Sequence, residues 1–308
     1  MIKQTLCFDN PAYLSAKDEQ LIIKTADREF SRPIEDIGVV ILDNPQITIT
    51  QNASVKLLQN NVAVIHCNEK HLPVGMLLNL DGNTLQSQKF KQQISATDTL
   101  KKNLWQQTIK AKIQNQSIVL KIIGKDSKRL DYLAKNVKLG DIGNSEAQAA
   151  NYYWNLIFSD YVENFSRLFS NGAPNNMLNY GYAVMRAATA RALTGSGLLP
   201  TLGIFHRNQY NAYCLADDIM EPYRPFVDLA VLELLQENEF DDLQEINREI
   251  KQKLLQVLQC DCYFKTEKSP LLVALTRTTA SLCACFEGKK RKILYPEIRY
   301  ELKRNKSV

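Results

Sequence analysis

The hydrophobic period of this chain changes once, and that change limits what it can fold into. Before residue 81 apolar side chains alternate with polar ones or form short runs bounded by turn residues, as strands do. From Thr97 onward they recur every three to five residues, as in Leu100, Trp105, Ile109 and Ile113, which is the spacing of a helix with one buried stripe. The two periods cannot share one regular layer. The expected class is therefore α+β: a small β-strand-rich N-terminal domain over 1–82, a polar linker over 83–98 and a larger all-helical domain over 99–308. A chain of 308 residues has room for both cores. Strands are expected at Ala12–Ala16, Gln20–Thr25, Glu29–Pro33, Ile37–Leu42, Gln46–Thr50, Val62–His66 and Pro73–Leu78, with a short helix over Ser54–Gln59 capped by Asn52. Later helices are expected over Glu146–Phe158, Met177–Leu193, Phe226–Gln236, Phe240–Leu258 and Pro270–Glu287.

No apolar run approaches the roughly 20 residues that span a bilayer, and Met1–Asn10 has no export signal. A cytoplasmic protein without membrane contact is expected. Seven cysteines with two C-x-C pairs, at 260/262 and 283/285, fit neither a disulfide framework nor zinc-finger spacing, so they read as reduced and buried. His66, Cys67 and His71 beside a turn read as packing and hydrogen bonding. Charge is uneven: Gly288–Val308 holds eight Lys/Arg against two Glu, a surplus of six where the whole chain has only five. Lys289, Lys290, Arg291 and Lys292 suit a phosphate backbone or simply a solvated tail.

Chemistry concentrates in three places. In Asp141-Ile-Gly-Asn-Ser-Glu146, Asn144 or Ser145 can cap a helix with Glu146 in its first turn, and Glu146 is then either dipole chemistry or a carboxylate aimed out of the helix end. His206 follows a glycine-containing loop. In Asp217-Asp218-Ile-Met-Glu221-Pro-Tyr-Arg224, Asp218 and Glu221 share a helical face, with Arg224 one further turn along. Two carboxylates and an imidazole suit Mg²⁺ or Mn²⁺. A capping box, or Glu221 as an N-cap before Pro222, would need no metal. Arg186, Arg191 and Arg224 could rim such a centre toward DNA or be ordinary helix-surface charge. Tyr152, Tyr153, Trp154 and Phe158 could form an aromatic platform, but their spacing favours core.

Taken in order, Gly140-Asp-Ile-Gly-Asn-Ser-Glu-Ala147, Tyr153-Trp154, Asn176-Met-Leu-Asn-Tyr-Gly-Tyr182, Gly203-Ile-Phe-His206 and Leu215-Ala-Asp-Asp-Ile-Met-Glu-Pro-Tyr-Arg-Pro225 resemble the universal CRISPR-associated integrase, the metal-dependent DNA endonuclease of spacer acquisition. The resemblance covers most of the chain and looks nearest to members from prokaryotic systems with a single large effector nuclease, type II. It implies Glu146, His206 and Glu221 as metal ligands for Mg²⁺ or Mn²⁺, Asp218 as a supporting acid, and Asn144 and Tyr153 as positioning residues. It implies double-stranded DNA as substrate, with a 3′-hydroxyl joined to a repeat phosphodiester by transesterification. It also implies a homodimer paired through the β domains, a small ferredoxin-like adaptation partner bridging two dimers, and the effector nuclease as a further candidate partner. The rival expectations are a DNA-binding scaffold without catalysis and a metal hydrolase of another phosphate ester.

Overall fold

A computed structural model describes residues 3–69, 71–167, 172–237 and 243–299. The N-terminal part holds two four-stranded sheets. One runs β4 (Glu29–Pro33), β3 (Gln20–Lys24), β2 (Tyr13–Lys17), β6 (Thr48–Ile49); its first three strands are antiparallel, and β6 lies parallel to β2. The other runs β1 (Gln4–Phe8), β5 (Ile37–Leu42), β7 (Ala63–Cys67), β8 (Pro73–Leu77), parallel except for β8. Strand β5 is buried along its whole length because the pleat sends its side chains into two cores. Ile37, Val40 and Leu42 face the core of the strand-rich part, whereas Val39 and Ile41 join the large helical core. Helix α1 (Gln51–Gln59) is capped by Thr50, whose hydroxyl accepts from the Ala53 amide at 3.2 Å. The expected cap, Asn52, instead donates to the Ala16 carbonyl.

Helix α3 (Asp98–Ile122) is the axis of the second part, packing on α4 (Lys128–Lys135), α5 (Ser145–Ile157) and α8 (Arg224–Glu237). Helix α6 (Asn175–Gly195) packs on α7 (Cys214–Met220), α8, α9 (Arg248–Gln256) and α10 (Leu271–Phe286). Besides α4, which the sequence pattern does not mark, the expected elements shift in four places. Strand β1 is added to the N-terminal part; α2 (Gln86–Ile94), a Gln-rich helix, lies inside the expected linker. The hairpin β9 (Asp261–Phe264) and β10 (Glu267–Pro270) interrupts the expected all-helical part. The helix expected over Phe240–Leu258 begins only at Arg248, and residues 238–242 lie outside the described residues. No helix among the described residues is long and apolar enough to cross a membrane.

After α10 the chain turns back along α3. Ile293 and Ile298 are buried, the Tyr295 hydroxyl meets Thr108 Oγ1 at 2.8 Å, and Glu297 bridges to Tyr263 of β9. Asn115 of α3 ties this strap down: its amide donates to the carbonyls of Pro222 at 2.8 Å and Pro296 at 3.1 Å, and its oxygen accepts from the Ile298 amide. The rest of the expected basic tail, residues 300–308, lies outside the described residues.

Candidate active site

Helix α5 begins with its amides covered from upstream. Asp141, held in a left-handed backbone conformation, accepts from the amides of Ser145 at 2.8 Å and Glu146 at 3.0 Å. Neither Asn144 nor Ser145 caps the helix with its side chain, as expected from sequence, because Asp141 already does so. The Glu146 carboxylate is thereby left for another partner. That partner is Lys112, on the inner face of α3, whose ammonium donates to Glu146 Oε1 at 2.7 Å.

The same ammonium lies 2.6 Å from Glu221 Oε2, and Arg224 reaches Glu221 Oε1 at 3.0 Å. Glu221 sits in a 3₁₀ turn joining α7 to α8, with Pro222 behind it. Neither proposed cap describes it: α7 already starts at Cys214, and the side chain turns inward to two cations. Burial pushes the Glu221 carboxyl up, but Arg224 and Lys112 outweigh burial and hold it below the usual carboxylate range. Burial likewise lowers the Lys112 ammonium, and Glu221 with Glu146 more than reverses this. Lys112's approach to Glu221 Oε2 lacks hydrogen-bond alignment, so this buried oxygen has charge beside it but no directed donor.

His206 is fixed from one side. Asp218, wholly buried, accepts from His206 Nδ1 at 2.6 Å and from the amides of Ile204, Phe205 and His206 at 2.6, 2.9 and 3.2 Å. The loop can wrap a carboxylate this closely because residue 203 is glycine: a Cβ there would stand 2.8 Å from Asp218 Oδ2 and 2.4 Å from the His206 carbonyl. Of the two adjacent acids, Asp218 faces the imidazole, whereas Asp217 holds Arg186 through two contacts, at 2.6 and 3.1 Å. The ring stands edge-on to Trp105 of α3, which is stacked on Phe205 at 4.1 Å. The hydrogen bond that His206 donates to Asp218 raises the His206 pKa, burial opposes it, and Glu221 and Glu146 add to the rise. Among the described residues Nε2 makes no hydrogen bond.

Glu146 and Glu221 thus meet at one ammonium, with His206 beside them. Among the described residues no three His, Cys, Asp or Glu side chains are grouped as an ion would require; Lys112 holds the centre. The donor set nonetheless fits a hard divalent ion: two carboxylates, one carrying a buried oxygen without a directed donor, and an imidazole whose other nitrogen is anchored. Lys112 was not among the expected site residues. Its signal is Thr108, Lys112 and Asn115, polar residues set into the apolar stripe of Trp105, Ile109 and Ile113.

The expected DNA contacts separate into three kinds. Arg191 is a correction: it is buried in α6, and its Nε donates to the Asn61 carbonyl, so it joins the two parts of the chain and cannot reach a phosphate. Arg186 and Arg224 are committed to Asp217 and Glu221, with Arg224 also over the Tyr182 ring at 4.9 Å. Lys289, Lys290, Arg291 and Lys292 are exposed. The last three line a groove of about 830 Å³ with Gln107 and Lys110, on the side of α3 away from Lys112. The aromatic group is core: Tyr153 and Phe158 are fully buried, and the Tyr153 hydroxyl donates to Asp228 at 3.0 Å. All seven cysteines are free, and burial pushes the Cys260 and Cys262 thiols up to about 12, as packing residues should be. His71 Nδ1 lies 2.9 Å from Asp43, and burial also takes Cys67 to about 12.

With this arrangement established, comparison with known proteins decides its lineage. The family model described as "CRISPR associated protein Cas1" matches residues 6–257. This chain belongs to the Cas1 family. It is 38% identical over 301 residues, 97% of each chain, to the CRISPR-associated endonuclease Cas1 of Neisseria meningitidis serogroup C. It is 24% identical to a CRISPR-associated endonuclease Cas1 of Francisella tularensis subsp. novicida, over 84% of this chain and 86% of that one. Its fold matches a casposase bound to its integration product with a TM-score of 0.78 at 21% identity, covering 99% of this chain and 96% of that one. A Cas1 protein from Thermotoga maritima matches with a TM-score of 0.74 at 14% identity, over 96% of this chain and all of that one. The order of a strand-rich part followed by a mainly helical one is thus that of the Cas1 fold, and the Cas1 relatives it matches in sequence are named CRISPR-associated endonucleases.

Proposed function

We propose that this chain is a divalent-metal-dependent DNA integrase that joins the 3′-hydroxyl of a captured fragment to a phosphodiester of the CRISPR repeat, in a type II system. The observation that carries the reading is the meeting of Glu146 and Glu221 on a single cationic group, with His206 anchored beside them by a buried aspartate. When bound by Glu146, Glu221 and His206, Mg²⁺ or Mn²⁺ supplies Lewis-acid polarisation of the phosphoryl oxygen and a lowered pKa for the attacking hydroxyl.

The protein's own groups do the rest. Asp218 fixes the imidazole through Nδ1, which leaves Nε2 as the nitrogen free to ligate or to take a proton. Arg224 keeps Glu221 ionised and holds its Oε1, leaving Oε2 for the ion. Stacked Trp105 and Phe205 wall the imidazole from the side of α3. In the joining step the bond from the fragment's 3′-oxygen to phosphorus forms as the bond from phosphorus to the repeat's own 3′-oxygen breaks, so phosphate ester is conserved and no ATP is consumed. No protein nucleophile is required.

A solved neighbour is entitled a Cas1–DNA complex and another a Cas6-RT-Cas1–Cas2 complex, which supports duplex DNA and a Cas2-type adaptation partner for this chain as well. Pairing of two copies through the strand-rich part is supported by β8, an edge strand that exposes Val74 and Leu77. The test combines the chain, its partner protein, Mn²⁺, a short duplex and a repeat-bearing plasmid. Covalent joining that disappears in His206→Ala is the expected result. DNA retention without any joining, with biological activity unaffected by Glu146→Ala, His206→Ala and Glu221→Ala, would replace the integrase with a scaffold.

A further inference from the structure

Lys112 has no place in the expected ligand set, yet its ammonium joins two members of that set. It is reached by Glu146 Oε1 at 2.7 Å and Glu221 Oε2 at 2.6 Å, and its side chain is one-tenth exposed. Two carboxylates facing each other, Glu221 buried and Glu146 partly so, would repel with nothing between them. A lysine between them keeps both ionised and in place. A flexible four-carbon stem and a compact charge let Lys112 withdraw without moving α3.

We propose that Lys112 is a built-in counter-ion of the acidic centre, one that preassembles Glu146 and Glu221 and must be displaced for a divalent ion to enter. It is a positioning residue, and it sets how tightly the ion is held. The inference rests on the metal-dependent reading above. An ammonium and a divalent ion cannot fill the same gap between two carboxylates, so each ion bound costs both Lys112 ion pairs. Arg224 is not displaced in this exchange, because it holds the other oxygen of Glu221.

The experiment titrates Mn²⁺ alone into the full-length chain, without DNA, by calorimetry and thermal shift. Lys112→Met is expected to lower the metal-free melting temperature and to tighten Mn²⁺ binding about tenfold, equivalent to 1.4 kcal/mol. Lys112→Arg keeps the charge and is expected to gain nothing. Equal or weaker Mn²⁺ binding by Lys112→Met, or equal tightening by Lys112→Arg, overturns the proposal. A second measurement spares the fold: trace acetylation of the unmodified protein, read by mass spectrometry, should label Lys112 more as Mn²⁺ is added. Unchanged or reduced labelling also overturns it. If instead Mn²⁺ binding to the unmodified chain is the same as to Glu221→Gln, the metal-dependent reading itself has failed, and this inference with it.

Discussion

Glu221 and Asp228 are buried carboxylates two helical turns apart on the same α7–α8 run, and the protein treats them in opposite ways. Burial pushes both carboxyls upward. At Glu221 the cations Arg224 and Lys112 reverse that push. At Asp228 the neighbours are the Tyr153 and Tyr182 hydroxyls, whose hydrogen bonds offset burial only in part and leave the carboxyl at about 6. The difference shows that depth alone does not mark a functional acid; the charge of its partners does. One carboxylate is held ionised by cations, and the other, titrating at about 6, accepts the tyrosine hydrogen bonds that fasten α5 and α6 to α8.

The largest effect that could break this contrast is on joining. Glu221→Gln should lower strand joining about a thousandfold, roughly 4 kcal/mol of barrier, while Asp228→Asn stays within about fivefold of the unmodified protein. Comparable losses in the two variants would erase the distinction. Next comes the pH profile of stability, read by urea denaturation. Because the folded pKa of Asp228 is raised to about 6 from an ordinary 3.8, its contribution is fully present below 3.8 and is lost as pH rises through 6. Relative to Asp228→Asn, the unmodified chain should therefore lose about 3 kcal/mol across that window. Parallel curves for the two proteins would contradict the assignment.

The Glu221 side of the contrast is sharpened by Asp218→Asn, which should cost about 10- to 100-fold in Mn²⁺ affinity or joining, the usual effect of removing the anchor of a ligating histidine. An unaffected variant would mean that the hydrogen bond at Nδ1 is dispensable. The smallest effect is expected from Tyr153→Phe. It should destabilise the fold by about 1 kcal/mol and, by removing one donor, move the Asp228 transition further up in pH. A downward move would show that Tyr153 does not support the ionised form.

Much of this architecture can be read from residues alone. The change of period near residue 81 separates the strand-rich from the helical part, and β4 and β5 fall at their expected bounds, because a two-residue alternation and an unbroken apolar run are strong local signals. Elements that local pattern hides are those formed by long-range partners. Strand β1 is mostly half-buried and becomes a strand by lying beside β5. The β9–β10 hairpin has four-residue strands, and Glu297 from the C-terminal strap bridges to β9. Helix α2 is polar, but Gln93 anchors it to the carbonyls of Leu199 and Leu202. At the site, the motifs bring out Glu146, His206, Asp218 and Glu221, since each sits in a distinctive local setting. Lys112 escapes such reading because a lysine in a long helix resembles any solvated charge until the facing helices are placed around it. Arg191 misleads for the converse reason: nothing in its neighbourhood along the chain shows that Asn61 will be waiting.

The strap over α3 has a consequence for the order in which this centre can mature. Asn115 holds the carbonyl of Pro222, next to Glu221, and also clasps Pro296 and Ile298, which are made after every helix they stitch. A growing chain therefore carries all its acids and its imidazole for some time before the clasp beside Glu221 can close. Translation that halts after α10 leaves Asn115 without two of its partners and the turn bearing Glu221 less firmly held, so the site is not fully braced until the segment that follows α10 has been made.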